Sequence, residues 1–115
     1  MCNNPNELKQ LIDNNKAVLV YFSAPACSVC TALKPKIQYA LTHDFPNIKQ
    51  IFFDEPTSKE ITSSYGIFSF PTVLVFFEGK EFFRESRNIS VLKLTNDIRR
   101  VYEMLFKEDV DNVSK

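Results

Sequence analysis

The chain has 115 residues, of which 44% are hydrophobic and 24% charged, and its 14 basic side chains balance its 14 acidic ones. We therefore expect a single domain over residues 1–115, large enough to bury a core without metal ions or disulfide cross-links. The balanced charge argues against nucleic-acid and anionic-membrane partners, because such partners bind clustered lysine and arginine side chains. Three cysteines are too few for a disulfide-rich secreted scaffold, and two of them lie close together, which indicates chemistry.

The sequence contains no recognisable targeting segment. Residues 1–10 are polar and lack the basic and then apolar order of a signal peptide. No apolar run approaches the ~18 residues that a membrane-spanning helix needs. We therefore expect a cytoplasmic protein without membrane contact, and we expect it to act as a monomer.

The first half of the chain predicts two helices and two strands in alternation. Residues 7–12 carry apolar side chains at i, i+3 and i+4, the spacing of a short amphipathic helix. Residues 18–22 form a continuous apolar and β-branched run, which suits a strand covered on both faces. A long helix follows over residues 27–44, with an internal Pro35 that should kink it, and residues 48–53 form a second strand.

The second half of the chain predicts a helix, a hairpin and a last helix. Residues 57–65 suit a short helix, and the β-rich runs at residues 72–77 and 81–83 flank a short glycine-bearing link, which is typical of an antiparallel hairpin. Residues 91–105 carry apolar side chains at alternating spacings of three and four, with Ser90 as N-cap. The order of elements predicts an α/β fold: a central mixed sheet of four or five strands, flanked by helices on both faces.

The clearest chemical feature is a Cys-Ser-Val-Cys motif, Cys27 to Cys30, where the first strand leads into the long helix. Positions i and i+3 of a helix have β-carbons roughly 5 to 6 Å apart, close to the separation that a disulfide bridges. The N-terminus of a helix favours an anion, so the Cys27 thiolate should be stabilised, whereas Cys30 should stay protonated longer. We therefore expect Cys27 to attack a substrate disulfide and Cys30 to resolve the mixed disulfide that results.

Zinc sites and metal clusters also use paired cysteines, and a zinc ion needs four ligands. The other candidate ligands are Cys2 and His43. At 1.5 Å per helical residue, His43 lies about 20 Å from Cys30, so the two cannot bind one ion within a subunit. A cluster shared between two copies of the chain remains as the alternative. We expect no metal and no cofactor, and we expect Cys2 to have no catalytic role.

Beyond the cysteine pair, the sequence resembles the thioredoxin superfamily over nearly its whole length. The match rests on residues 18–26 leading into the cysteines, on Pro35 five residues after Cys30, and on the Tyr-Gly-Ile-Phe-Ser-Phe-Pro-Thr segment at residues 65–72, followed by an apolar strand and Glu-Gly-Lys. The resemblance implies a thioredoxin-like fold and a thiol–disulfide oxidoreductase that acts on protein or small-molecule disulfides. A reductase or a low-molecular-weight thiol would donate the electrons.

The resemblance also implies that Phe70–Pro71 is a cis peptide bond opposite the cysteine pair. Proline lacks a backbone N–H, which would leave the backbone of Phe70 free to pair with an extended substrate. We expect Ala26, Phe70 and Pro71 to contact the substrate, with Phe68 and Phe70 forming an apolar platform.

Two departures from the best-known thioredoxins lie next to the cysteines. Ser28 and Val29 stand between them in place of Gly-Pro, so the resemblance does not define the redox potential. Ala26 and Ser23 replace tryptophans that commonly precede the first cysteine.

Three charged or polar residues around the expected site are further candidate modulators. Tyr21 replaces a buried acid, and a phenol with a pKa of about 10 is a poor base at neutral pH; alternatively, Tyr21 is a core residue with a bonded hydroxyl. Arg87 stands where a glycine is common and would add bulk and positive charge near the substrate groove. Lys34 either raises the local positive potential or lies on a solvated helix face. These departures keep a second hypothesis open: a thioredoxin-like binding or chaperone module whose cysteine pair is structural or regulatory.

Overall fold

The computed structural model describes residues 4–53 and 59–106, and within them helices and strands alternate as the sequence predicts. In chain order the elements are α1 (Pro5–Asp13), β1 (Ala17–Phe22), α2 (Ser28–Asp44), β2 (Lys49–Phe53), α3 (Lys59–Ser64), β3 (Thr72–Phe77), β4 (Lys80–Ser86) and α4 (Val91–Leu105). None of these described helices is long and apolar enough to cross a membrane.

The four described strands form one mixed sheet in the order β2-β1-β3-β4. The pair β1–β2 is parallel, because α2 connects the two strands, whereas β1–β3 and β3–β4 are antiparallel. The expected fold class, a mixed sheet flanked by helices, is therefore confirmed. Within the described residues the sheet has four strands rather than five.

Both faces of the sheet are covered by helices, and this explains the continuous apolar runs of the central strands. On one face, Leu19 and Tyr21 pack with side chains of α2 and α4. On the other, Val18 and Val20 pack with side chains of α1 and α3. All six residues of β1 and all six of β3 are buried. A strand buried on both faces has no polar side to alternate with its apolar one.

Some element boundaries differ from the sequence prediction. Helix α1 begins at Pro5 rather than residue 7, because the Asn4 side chain caps it by accepting a 3.0 Å hydrogen bond from the Glu7 amide. The hairpin link is two residues, Glu78 and Gly79, both with positive φ (54° and 80°), which suits a tight turn between antiparallel strands.

Smaller differences affect the remaining elements. Strand β4 is longer than predicted, β2 begins one residue later, and α3 ends one residue earlier. The predicted first turn of α3, residues 57–58, lies outside the described residues. Pro35 lies inside α2 as expected, and the kink stays a prediction.

Candidate active site

The Cys27 and Cys30 side chains are joined by a disulfide at the N-terminus of α2. Their Cα atoms are 5.3 Å apart, within the range of ordinary protein disulfides. The pairing therefore follows from local geometry: one cysteine caps the helix and the other lies in its first turn.

Cys27 serves as the N-cap residue of α2. Its Sγ atom accepts a 3.1 Å hydrogen bond from the backbone N–H of Cys30, and its carbonyl accepts one from the Thr31 hydroxyl at 3.1 Å. The sulfur thus lies where the unpaired N–H groups of the first helical turn converge. Cys27 is half-buried, whereas Cys30 is only 3% exposed. A molecule in solution therefore reaches the sulfur of Cys27 more easily than that of Cys30.

A shallow depression beside Cys27 is lined by small, uncharged residues. Its other lining residues are Ala24, Pro25, Ala26, Ser28, Thr31 and Ala32. Ala26 is exposed and has a φ of 56°, a left-handed conformation that only a few L-residues adopt. The approach to Cys27 on this side is consequently neutral and not shielded by large side chains.

Pro71 lies at the same edge of the sheet as the loop that leads to Cys27. Because Phe22 at the end of β1 pairs with Thr72 at the start of β3, the residues just beyond these two positions are neighbours. The Phe70–Pro71 peptide bond is cis, and Pro71 is buried. The Thr72 hydroxyl donates a 2.6 Å hydrogen bond to the carbonyl of Ser69, which closes the turn around Phe70 and Pro71.

The two phenylalanines expected to form an apolar platform have different environments. Phe70 is half-buried and packs against the core cluster between the sheet and helices α1 and α3. Phe68 is 89% exposed. The exposed apolar surface here is therefore mainly that of Phe68.

Tyr21 is a core residue with a defined hydrogen bond. Its hydroxyl donates to the backbone carbonyl of Cys30 at 2.8 Å, and its ring centroid lies 5.6 Å from that of Phe52. The phenol thus contacts the backbone of the second cysteine, as the core interpretation of Tyr21 expects.

The remaining candidate modulators surround the disulfide at different depths. Ser28 is exposed, and Val29 is 56% exposed. Lys34 is half-buried with its Nζ atom 5.3 Å from the Phe52 ring centroid, so it does not lie on a fully solvated helix face. Arg87 is exposed, and its backbone N–H donates a 2.8 Å hydrogen bond to the carbonyl of Pro71. The structure therefore brings Arg87 to the expected site.

Arg84 supports the site, although no local sequence pattern marks it. Its guanidinium donates to the carbonyls of Tyr65 (2.6 Å) and Gly66 (3.1 Å), at the end of α3. It also donates to both carboxylate oxygens of Glu81, at 2.8 and 2.9 Å. These hydrogen bonds raise the pKa of Arg84 and lower that of Glu81. Arg84 thereby ties β4 to the turn that leads towards Pro71.

The one sequence signal that could have indicated a role for Arg84 is the predicted end of α3. The last carbonyls of a helix lack intrahelical donors and favour cations. Strand pairing determines which cationic side chain donates to these carbonyls, and the sequence does not show how the strands pair.

Among the residues that the structure describes, no group of three or more His, Cys, Asp or Glu side chains could hold a metal ion. The ring of His43 is exposed near the far end of α2 and lies 4.1 Å from the ring of Tyr39. Cys2 lies outside the described residues.

A family model and similar proteins of known sequence or structure agree on the family of this chain. The chain matches the family model described as Thioredoxin over residues 1–100. It is 32% identical over 97 residues to the thioredoxin-like protein YdfQ of Bacillus subtilis, covering 84% of this chain and 86% of that protein. It is 30% identical to a thioredoxin-like protein from Bacillus cereus of known crystal structure, with a TM-score of 0.64 and coverage of 82% of this chain and 98% of that one.

A more distant structure agrees with this architecture. Oxidised thioredoxin O2 from Arabidopsis thaliana has a TM-score of 0.72 at 18% identity, over 88% of this chain and 91% of that one. At this identity the likeness shows a shared fold.

Proposed function

Because this chain belongs to the thioredoxin family, we propose that it is a thiol–disulfide oxidoreductase with Cys27 as nucleophile and Cys30 as resolving thiol. One observation carries the assignment of roles: the two sulfurs form a disulfide in which Cys27 is half-buried at the helix N-terminus and Cys30 is buried. The accessible sulfur is the one that a substrate disulfide can meet. The buried one is the sulfur that stays within reach after the mixed disulfide has formed.

The reaction is a two-step exchange that conserves electrons. The Cys27 thiolate attacks one sulfur of the substrate disulfide, so that a mixed disulfide forms and the other substrate sulfur leaves as a thiolate, which takes up a proton. Cys30 then loses its proton and attacks Sγ of Cys27, which releases the second substrate thiol. The substrate gains two electrons and two protons, and the protein becomes the disulfide form. A reductase or a low-molecular-weight thiol returns the electrons.

Ala26, Phe70 and Pro71 are the proposed substrate contacts. Neither backbone group of Phe70 has a hydrogen-bond partner among the described residues, and Pro71 has no N–H to offer. An extended polypeptide next to Cys27 can therefore pair with the Phe70 backbone. Ala26 borders the neutral depression and leaves room for the residues that flank a substrate cysteine.

The residues between and beside the cysteines are proposed to tune the exchange. Ser28 and Val29 lie inside the disulfide loop and influence the relative stability of the thiolate and disulfide forms. Tyr21 holds the backbone of Cys30, and Lys34 adds a half-buried positive charge one turn further along α2.

We propose that protein or small-molecule disulfides are reduced in the cytoplasm by a monomer. Three cysteines in 115 residues differ from the composition of small secreted domains, and a reducing compartment favours electron flow towards the substrate. Fractionation of cells tests the location, and size-exclusion chromatography with light scattering tests the oligomeric state.

The direct test is reduction of insulin by dithiothreitol in the presence of the protein. We expect the wild type to accelerate the reaction, Cys27→Ser to have no effect beyond that of dithiothreitol alone, and Cys2→Ser to match the wild type. Equal rates for the wild type and Cys27→Ser would exclude the proposed activity.

The second candidate function is a binding or chaperone module with a structural disulfide. The position of Tyr21, a poor base, next to the backbone of Cys30 favours this alternative. The reduction potential of the Cys27–Cys30 pair separates the two functions: a value below about −300 mV indicates a structural disulfide, and a higher value indicates an exchange-active one.

A further inference from the structure

Arg87 has a backbone conformation and a position that set it apart from the other arginines of the described chain. Its φ is 62°, in the left-handed region that favours glycine. Its N–H donates to the carbonyl of the buried Pro71 at 2.8 Å. This hydrogen bond fixes the backbone of Arg87 against the start of β3, at the edge of the sheet where the disulfide lies.

The Arg87 side chain is available to a ligand. It is exposed and makes no ion pair with any residue in the ranges 4–53 and 59–106, whereas Arg84 is paired with Glu81 and Arg99 with Asp44. The nearest acid along the chain, Glu85 of β4, has its Oε2 atom 3.6 Å from Nζ of Lys93 instead.

A shallow groove joins Arg87 to the cysteine motif. It is lined by Val29, Leu33, Arg87, Asn88, Ile89 and Ser90. Since Val29 lies between the two cysteines, a polypeptide whose cysteine engages Cys27 has its flanking residues close to this groove. Arg87 is the charged residue of the groove lining.

The linings of the two depressions beside the cysteine motif, as far as the described residues form them, contain one charged side chain, that of Arg87. The depression on the other side of Cys27 is lined by uncharged residues only. The ammonium group of Lys34 lies over the Phe52 ring. The charged group of the groove lining is therefore the Arg87 guanidinium, whose fork of donors matches a carboxylate.

We propose that Arg87 selects polypeptide substrates that carry an aspartate or glutamate next to the reacting cysteine. This inference rests on the proposed oxidoreductase function and specifies its substrate class. An exposed Arg–carboxylate pair in water corresponds to a gain of about one-and-a-half- to fivefold in the rate constant. Salt reduces the gain, because the pair is solvent-exposed.

The experiment uses three disulfide-linked peptides that differ only in the residue after the cysteine, which is Asp, Asn or Lys. An acidic neighbour by itself makes the substrate thiol a poorer leaving group. Each rate constant for the reduced protein is therefore divided by the rate constant for dithiothreitol with the same peptide. We expect the normalised rate of the wild type to be about two- to fivefold higher for the Asp peptide than for the Lys peptide at low salt, and nearly equal at high salt.

Three variants assign this preference to the Arg87 side chain. Arg87→Asn removes the charge while keeping a residue that tolerates a positive φ, and should bring the Asp-to-Lys ratio close to one. Arg87→Lys restores the charge and should restore most of the ratio. Arg100→Asn, the same substitution at an exposed site on α4, should leave the ratio as it is in the wild type.

The outcomes separate this inference from the function on which it rests. Equal normalised rates for the three peptides, or a preference that persists in Arg87→Asn, would overturn the role of Arg87 while leaving the oxidoreductase intact. Failure to reduce any of the peptides would contradict the oxidoreductase function and the selection by Arg87 together.

Discussion

The hydroxyl of Tyr21 donates a 2.8 Å hydrogen bond to the backbone carbonyl of Cys30, which joins the central strand β1 to the first turn of α2. Both residues are buried. Tyr21, which replaces the usual acid of this family, therefore holds the backbone of Cys30 in place through a hydrogen bond. Its contribution is to position that cysteine, since the hydrogen bond involves the carbonyl and not the sulfur.

Removal of this hydroxyl should lower the stability of the oxidised protein. Tyr21→Phe keeps the ring and deletes one buried hydrogen bond, so we expect the free energy of unfolding to fall by about 1 kcal/mol. Urea denaturation followed by circular dichroism measures the change. Tyr39→Phe, which alters an exposed tyrosine on α2, should change stability by less than about 0.5 kcal/mol. Equal effects of the two substitutions would argue against the Tyr21 hydrogen bond.

Loss of Cys30, the proposed resolving thiol, should trap the substrate. In the double variant Cys2→Ser, Cys30→Ser, Cys27 still attacks a disulfide but the chain keeps no second cysteine that could displace the product, so a mixed disulfide with insulin should accumulate. Non-reducing electrophoresis detects the complex, and dithiothreitol should release it. The double variant Cys2→Ser, Cys27→Ser is the matched control and should form no such complex. Comparable trapping by both variants would contradict the roles assigned to Cys27 and Cys30.

The difference in burial between the two cysteines predicts a difference in alkylation. In reduced Cys2→Ser protein, a brief exposure to iodoacetamide should place most of the label on Cys27, because Cys30 is 3% exposed. Mass spectrometry of proteolytic peptides locates the label. In denaturant the two cysteines should react at similar rates, and a preference for Cys30 in the folded protein would contradict the assignment.

The Glu81–Arg84 pair predicts a stability difference that depends on pH. The hydrogen bond from Arg84 lowers the pKa of Glu81 below its ordinary value of 4.5. Because the folded-state pKa is the lower one, the stabilisation is present above pH 4.5 and is lost as pH falls through the folded-state pKa. The gain is below about 1 kcal/mol, since both side chains are partly exposed.

Urea unfolding of wild type and Glu81→Gln over a series of pH values tests this prediction. The variant should be less stable near neutral pH, and the difference should shrink below pH 4.5. Glu103→Gln, which removes the same charge at an exposed position on α4, controls for the loss of one negative charge. A Glu81→Gln effect of constant size at every pH would exclude the titration of Glu81 as its cause.

Features governed by neighbours in the sequence were predictable from the sequence. The cysteine pair depends on a spacing of three at a helix start, and α4 depends on the alternation of apolar residues behind Ser90. The continuous apolar run of β1 indicated a strand covered on both faces, because only such a strand has no polar side.

Features governed by strand pairing were decided only by the tertiary structure. The contact of Arg84 with the end of α3, the Lys34 ammonium over the Phe52 ring and the link from Arg87 to Pro71 each join residues far apart in the chain. The family resemblance indicated that Arg87 lies near the cysteine pair. Its hydrogen bond to Pro71 and the groove that it lines depend on how β4 ends beside β3. The sequence alone thus determined the cysteine pair and the layered α/β order, since both follow from the local spacing of residues. The register of the sheet decided which charges surround that pair, because a side chain's distant neighbours are set by strand pairing rather than by its own sequence context.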